Sequence, residues 1–231
     1  MKLTRRGALV AGVAISAVGA RAAESSNVGG VEDIVNFAWA TLAPDPREEI
    51  EFEDDVYLNE EVETGEESAL VIKFSDGSQL TLGENARITI DKYVYNPAGE
   101  SSQIVTLTKG AFRFLSGSMP KAGVKLQTPA VTVGIRGTEL IFDVGDDGAT
   151  EMSTVAGEAL CTDGGGETLT VGIDQSIEAG PDRRFRGKVR RFRHKTRSIA
   201  IAEGLAGART RWRIRKVRRR RVLHRPRRRH N

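Results

Sequence analysis

The sequence predicts an all-β fold, and three observations support this prediction. About a dozen short runs alternate apolar with polar residues and are separated by turns rich in glycine. Their near-regular spacing is typical of a sandwich, a barrel or a solenoid. No crossover helix lies between them, which disfavours a parallel α/β architecture. With 231 residues, of which 39% are hydrophobic and 29% charged, the chain suits one domain with appended segments.

Residues 1–22 have the layout of a bacterial signal peptide. Arg5 and Arg6 precede an uncharged run of 14 residues from Gly7 to Ala20, and a small-residue cleavage pattern follows. The paired arginines resemble a twin-arginine signal, although Ala8 stands where a bulky residue is usual. The uncharged run is shorter than the roughly 20 residues that span a bilayer. We therefore expect a periplasmic or secreted protein with no transmembrane segment in the mature chain.

Residues 23–54 are expected to form a lead-in segment with one short amphipathic helix. Its apolar side chains recur at helical spacing: Val31, Ile34, Val35, Ala38, Trp39 and Leu42. Glu32 and Asp33 would lie in the first turn, where they complement the helix dipole, and Pro44 would end the segment. Trp39 on this apolar stripe is interpreted as a core side chain in preference to a ligand platform.

Residues 55–182 are expected to form the β domain. Two apolar runs around Ile72 and Leu80 flank Asp76 and Gly77, which are typical of a tight hairpin turn. The further predicted strands are 87–95, 103–108, 111–115, 124–127, 131–135, 139–144, 150–155, 158–161, 168–171 and 175–178.

The segment from Thr128 to Thr138 has the most specific pattern in the chain. Its alternating apolar residues are Val131, Val133 and Ile135, which predict one buried face of a strand. Pro129 has no amide hydrogen to donate, so it suits the first position or an exposed edge. Gly137 permits a bulge or a corner directly after Arg136.

Arg136 is the residue of this segment that could bind a ligand. It is one of nine basic residues among 30 acidic ones between residues 24 and 182, and its rigid fork can hold a carboxylate with two hydrogen bonds. One interpretation is an internal clamp to Glu139 or Asp143, in which case Arg136→Ala would lower the melting temperature. The alternative is recognition of a carboxylate on a partner.

The residues of this domain do not predict an enzyme, a metal site or a cofactor. All three histidines lie in the C-terminal tail, and a single cysteine, Cys161, excludes an intramolecular disulfide. The neighbours of Cys161 resemble a strand, so we interpret it as a small buried side chain. Possible carboxylate pairs are interpreted as turn residues or solvated acids: Asp54, Asp55, Asp143, Asp146 and Asp147.

Residues 183–231 form a strongly basic tail, with 22 lysines and arginines and the single acid Glu203. Its balance of +21 matches in magnitude the balance of −21 between residues 24 and 182. Self-repulsion predicts intrinsic disorder before binding. Anionic lipid headgroups or cell-wall polymers are candidate partners, and an exported chain would meet these before nucleic acid. The acidic domain of the same or another copy is a further candidate.

Several ordered motifs resemble the FecR-type periplasmic domain. They lie between Val56 and Gly180 and comprise Val62-Glu63-Thr64-Gly65, Ile72 to Ser78 with Leu80 and Leu82-Gly83, Lys109 to Phe114, Thr128-Pro129, Arg136-Gly137-Thr138 and Val155 to Ala159. The resemblance implies an all-β fold, in agreement with the strand count. It also makes Thr128, Pro129, Gly137 and Thr138, with Asp76 and Gly77, the expected motif residues.

The resemblance implies a sensor-like module and not an enzyme. The best-known members of this family relay siderophore signals from an outer-membrane receptor to a cytoplasmic anti-sigma region. The present sequence begins with an export signal in place of that region, and its basic tail does not resemble a receptor-binding domain. We therefore expect an exported, non-catalytic binding or signalling module, with an envelope protein as partner. The alternative is a structural envelope protein that uses its tail for adhesion.

Overall fold

The computed structural model describes residues 26–191, in which the regular structure is β-strand apart from one short 3₁₀ turn at Lys121–Gly123. The first eight strands are β1 (Asn27–Val35), β2 (Ala38–Thr41), β3 (Glu48–Glu49), β4 (Asp55–Tyr57), β5 (Glu61–Thr64), β6 (Ala69–Phe74), β7 (Gln79–Leu82) and β8 (Arg87–Val94). The others are β9 (Ser102–Leu115), β10 (Val124–Gln127), β11 (Val131–Val144), β12 (Thr150–Asp163), β13 (Thr168–Val171), β14 (Gln175–Ala179) and β15 (Arg190–Arg191).

The predicted all-β class is confirmed. The expected signal peptide at 1–22 and the expected tail from residue 192 onward lie outside the described residues. Between residues 26 and 191 there is no helix with the length and hydrophobicity that a membrane crossing requires.

Three strands of 14 residues each, β9, β11 and β12, organise the sheet. Each contains a glycine in the left-handed region: Gly110 with φ of +108°, Gly137 with +69° and Gly157 with +76°. From the sequence, each glycine is expected to separate two short strands, one on each side of it. In the structure each predicted pair is one continuous strand that bends at the glycine.

The bends divide the sheet into two halves. Each long strand contributes to one half before its glycine and to the other half after it. In the first half, β10 joins the beginnings of β9 and β11, parallel to β9 and antiparallel to β11. In the second half, the ends of β9 and β11 pair directly with each other. The first half continues outward through β8, β5, β2 and β3 on one side and through β12 and β13 on the other. The second half continues through β7, β6, β1 and β4 and through β12, β14 and β15.

The buried faces of both halves contribute to one hydrophobic core. Inward and outward positions alternate along the strands, so apolar residues align in rows across several strands. One row of fully or almost fully buried side chains comprises Leu70, Leu82, Phe112, Phe142, Met152 and Ile177. Burial of each of these side chains contributes about 1.5–3 kcal/mol, and such rows fix the register of the sheet.

The prediction of an amphipathic helix in residues 23–54 is wrong, because this segment forms β1 and β2. Two irregularities in the pairing of β1 each add a residue to the strand. The buried residues Val28 and Val31 are therefore three positions apart, a spacing that also occurs on a helix. Asn36 adopts a φ of +57° and turns the chain between the two strands.

The beginning of the basic tail, residues 183–191, lies along the domain, and we refer to it as the strap. Phe185 forms an isolated β-bridge with Ala179, and the amide of Arg186 donates to the carbonyl of Glu178 at 2.8 Å. β15 then pairs with the beginning of β14. Phe185 and Val189 pack against the core. The strap thus adds a short edge strand to the second half of the sheet.

Asp163 at the end of β12 holds the strap and a neighbouring turn. Its carboxylate accepts hydrogen bonds from the amides of Gly165 at 2.8 Å, Glu167 at 2.9 Å and Phe185 at 3.3 Å. Arg184 of the strap adds an ion pair at 3.9 Å. Desolvation raises the pKa of Asp163, but these hydrogen bonds and the Arg184 charge outweigh it and hold the pKa below the usual range.

We predict that Gly157→Ala lowers the free energy of unfolding by about 2–4 kcal/mol, measured by urea denaturation. A Cβ at this position would overlap the carbonyl oxygen of Gly137 and would also strain a positive φ. Gly166→Ala is the matched control, because Gly166 has a φ of +86° with no atom within 4 Å of the added Cβ. We expect it to cost about 1 kcal/mol. Equal losses in the two variants would contradict a role for the contact between the bends.

We predict that acid releases the strap. The pKa of Asp163 is lower in the folded protein than its ordinary value of about 4 in the unfolded chain. Its contribution to stability is therefore complete above the unfolded-state pKa and is lost as the pH falls through the folded-state pKa. Amide exchange of Phe185 and Arg186, corrected for intrinsic rates, should therefore become faster at low pH. In Asp163→Asn, exchange should be fast already at neutral pH, whereas Asp146→Asn at an exposed turn should behave as wild type. Protection that is independent of pH in the wild-type chain would refute this prediction.

Candidate functional site

Thr128 and Pro129 close the turn between β10 and β11. The Thr128 hydroxyl accepts hydrogen bonds from the amides of Ala130 at 3.3 Å and Val131 at 3.0 Å. The hydroxyl of Thr150 donates to the same Thr128 oxygen at 2.9 Å. These contacts give the Thr-Pro motif a structural role in the hairpin.

Arg136 lies on the surface at the bend of β11. Its guanidinium contacts the carboxylate of Glu158, the residue opposite it on β12, at 3.3 Å. Glu139, an expected partner of Arg136, forms its ion pair with Arg113 instead, and the nitrogen and oxygen atoms are 2.7 Å apart. The Arg136 side chain is 70% exposed, and an exposed ion pair contributes at most about 1 kcal/mol. Arg136 is therefore accessible to a partner, and its ion pair contributes little to the stability of the fold.

The two other residues of this motif are part of the fold. Gly137 provides the bend that faces Gly157. Thr138 is 2% exposed, and its backbone exchanges hydrogen bonds with Ser116, whose amide donates to the Thr138 carbonyl at 3.0 Å.

Asp76 forms the centre of a buried polar network at the β6–β7 turn. Its carboxylate accepts from the amide and the hydroxyl of Ser78, at 3.1 and 2.6 Å, and from the amide of Met119 at 3.3 Å. The Tyr93 hydroxyl donates to it at 3.3 Å and accepts from the Asp76 amide at 2.9 Å. Gly77 adopts a φ of +82° within the turn. The Asp-Gly motif therefore ties a hairpin to the loop that follows β9.

Tyr93 remains a hydrogen-bond donor in this network at ordinary pH. Burial raises the pKa of its phenol to about 12, and the charge of the Asp76 carboxylate contributes to the increase. A tyrosine with such a pKa does not ionise near neutrality. The Tyr93 hydroxyl is therefore a fixed donor, which gives the network a structural role.

A shallow groove of about 280 Å³ lies on the outer face of the first sheet half. Four of its residues are opposite one another on four successive strands: Trp39 on β2, Glu63 on β5, Arg87 on β8 and Lys109 on β9. We refer to them as the cross-strand row. This site is not predictable from the sequence, because only the strand register places these residues together.

Positive charge is concentrated in this groove. Arg87, Lys109 and Arg47, which follows β2, are three of the nine basic residues between residues 24 and 182. Glu63 lies between the two arginines, with Arg47 at 3.0 Å and Arg87 in a close contact. Lys109 contacts Asp146, whose side chain is 89% exposed, at 3.3 Å. The Nε of Arg87 is buried and lies 3.9 Å from the carboxylate of Glu61, beyond hydrogen-bond distance.

Trp39 is not a free platform for a ligand. The guanidinium of Arg47 lies over its ring at 4.1 Å from the centroid, and Phe37 stacks on it at 6.2 Å. Trp39 is half-buried on the outer face of β2 and does not belong to the core. Its contacts hold Arg47 in the groove, so the polar groups there are the ones available for recognition.

The remaining candidates for chemistry offer little reactivity. Burial raises the pKa of the Cys161 thiol to about 12, which suppresses the reactive thiolate. Asp147 accepts from the amide of Ala149 at 3.0 Å in a hairpin turn, and Asp54 accepts from the amide of Glu51 at 2.7 Å. Within residues 26–191, no group of three histidine, cysteine or acidic side chains is arranged to hold a metal ion.

Comparison with known proteins confirms the resemblance found in the sequence. Residues 60–160 match a family model described as FecR protein. Two crystal structures of a candidate anti-sigma factor from Parabacteroides distasonis are similar at 12% identity, each with a TM-score of 0.47. The similarity covers 61% of this chain and 62% of the other, so the chain spans less than two thirds of the length of that protein. No curated protein matches the sequence.

We predict that Asp76→Ala lowers the free energy of unfolding by about 2–4 kcal/mol, because it leaves several buried donors without an acceptor. Asp147→Ala removes an aspartate from an exposed turn and should cost less than about 1 kcal/mol. Urea denaturation of both variants measures the difference. A loss below 1 kcal/mol for Asp76→Ala would show that the network contributes little to stability.

Proposed function

Because residues 60–160 match the FecR family model, we propose that the chain is a non-catalytic binding module of a signalling system in the cell envelope. The family match supports signal transduction as the general role. The export layout of residues 1–22 supports a periplasmic or secreted location, by the twin-arginine route. In this proposal the partner is an envelope protein.

The groove around the cross-strand row is the proposed contact surface, and the observation that carries this assignment is its concentration of positive charge. The domain is acidic elsewhere, so a cluster formed by Arg47, Arg87 and Lys109 provides a local site for an anionic group. A carboxylate of the partner suits the planar guanidinium groups of Arg47 and Arg87, which can each hold it with two hydrogen bonds.

The geometry of the groove favours a carboxylate on a protein surface. Glu63 already contacts both arginines, so a ligand with one negative charge is repelled less than a dianion. The groove is also shallow, which suits a side chain presented by a partner better than an enclosed small molecule. Arg136, on the same domain and accessible, is the second proposed contact.

The chemistry of the described residues supports a role without catalysis. The three histidines of the chain, His194, His224 and His230, lie outside the residues that the structure describes. The buried thiol of Cys161 lacks the low pKa of a nucleophilic cysteine. No cofactor is required for the proposed recognition.

A second proposed function is that of a structural envelope protein whose tail adheres to anionic polymers. The observation that favours it is the composition of residues 192–231, with 16 lysines and arginines against one acid. Such a segment binds polyanions through charge, with an affinity that decreases steeply as salt increases.

Capture of partners from envelope extracts by the full chain, with cross-linking, tests these functions. Arg87→Gln with Lys109→Gln should reduce the yield of a defined protein partner about tenfold or more, because two charge-assisted contacts are lost. Lys92→Gln with Lys125→Gln is the matched control, since it removes the same charge from exposed positions on β8 and β10. Thermal unfolding of each variant verifies that it is folded.

The possible outcomes separate the two functions and the two sites. Equal capture by the groove variant and its control would refute the groove. A loss with Arg136→Gln alone would assign recognition to Arg136. Polymer binding that disappears with residues 192–231, in the absence of a defined protein partner, would favour the adhesive function.

A further inference from the structure

An exposed aromatic side chain lies beside the groove of the cross-strand row. Phe37 directly precedes β2, and the amide of Gly65 donates to its carbonyl at 3.0 Å, which continues the pairing of β2 with β5 by one residue. The buried Ala38 separates Phe37 from Trp39, so both aromatic side chains lie on the outer face of the first sheet half. Their rings stack with centroids 6.2 Å apart and 15° between the ring planes. Phe37 nevertheless remains 55% exposed.

The neighbours of Trp39 place this aromatic surface directly against positive charge. Gly65 leaves room for the indole, because a Cβ at this position would be 3.2 Å from two of its ring carbons. The guanidinium of Arg47 lies over the same ring, 4.1 Å from the centroid. One indole thus contacts both the exposed Phe37 and a basic side chain of the groove.

The exposed ring of Phe37 has no role in the core. It is not among the partly buried hydrophobic side chains that pack against the core of the described domain. A single exposed aromatic is ordinary on a protein surface, but aromatic side chains and arginines together are the residues that interfaces concentrate. A few such residues supply most of the binding energy of an interface. Phe37 therefore adds an apolar contact to the charged surface proposed above.

We propose that the groove recognises an extended acidic and aromatic segment of the partner. Its carboxylate binds the basic side chains of the groove, and an aromatic side chain two positions away packs on Phe37. This inference rests on the proposed function of the groove and specifies the chemistry of the partner at that site.

Strand geometry and charge both favour this spacing. Alternate side chains of an extended segment lie on the same side and are about 7 Å apart. Phe37 and Trp39 have the same offset, and Arg47 lies over the second of these rings. Glu63 repels a second negative charge at this place, so an apolar neighbour of the bound carboxylate suits the surface better than another acid.

Three peptides with blocked ends test the proposal: Phe-Ser-Glu-Ser-Phe, Ala-Ser-Glu-Ser-Ala and Phe-Ser-Gln-Ser-Phe. Their symmetric sequences present the flanking side chain in either chain direction. The protein is the full chain with Trp212→Phe, in which Trp39 is the one remaining tryptophan. Its fluorescence therefore reports binding at the groove and not at the basic tail.

The first peptide should bind about two- to tenfold more tightly than the second, as expected for one aromatic contact. The glutamine peptide should bind about tenfold or more weakly than the first, because it lacks the charge-assisted hydrogen bonds. Phe37→Ala should abolish the difference between the first two peptides. Ile173→Ala is the matched control, since it removes an apolar side chain that is 60% exposed between β13 and β14. Thermal unfolding verifies that each variant is folded.

The outcomes separate this inference from the function on which it rests. Equal binding of the first two peptides would overturn the aromatic contact and leave the recognition of a carboxylate in place. Equal binding of the glutamate and glutamine peptides would refute the proposed function of the groove. Weaker binding of both glutamate peptides to Phe37→Ala, by the same factor, would make Phe37 a support for Trp39 and would overturn the direct contact. The absence of a saturable change in Trp39 fluorescence with every peptide would overturn both proposals.

Discussion

The bends of β9, β11 and β12 determine how one continuous sheet encloses a core. At each bend a glycine in the left-handed region changes the direction of the strand, and pairing partners change at the same point. Gly137 and Gly157 face each other so closely that neither strand could bend with a side chain at position 157. Because each long strand supplies buried residues to both halves, the halves cannot form independently. The other strands, and with them the groove and the strap, pair directly or indirectly with β9, β11 and β12.

The sequence predicts most strands in the domain, because burial on one face produces a strict alternation of apolar residues. Val124–Gln127 and Thr168–Val171 are found with their predicted bounds. The long strands are predicted as broken pairs, since glycine usually ends a strand and here bends it. The N-terminal strand is mistaken for a helix because its bulges change the spacing of buried residues.

The functional surfaces could not be predicted from the sequence, because they depend on register. Glu63, Arg87 and Lys109 are separated by more than 20 residues along the chain, and adjacent strands place them side by side. The same holds for Asp143, Glu151 and Glu178, which lie opposite one another on β11, β12 and β14 in the second half of the sheet. Composition predicts an acidic domain with a basic tail. The fold sorts these charges into a cationic groove on one half and an anionic row on the other.

The strap covers an edge of the sheet at which copies of the protein could otherwise associate at high concentration. An uncovered β14 would present unpaired backbone groups in a straight edge, to which a strand of another molecule could add. The bridge at Phe185 and the short strand Arg190–Arg191 occupy that edge with the chain's own backbone. Within the described residues the new outer edge is the two-residue strand Arg190–Arg191, whose exposed arginine side chains make it a poor template for another strand. The basic tail thus begins with a segment that limits aggregation of the sheet.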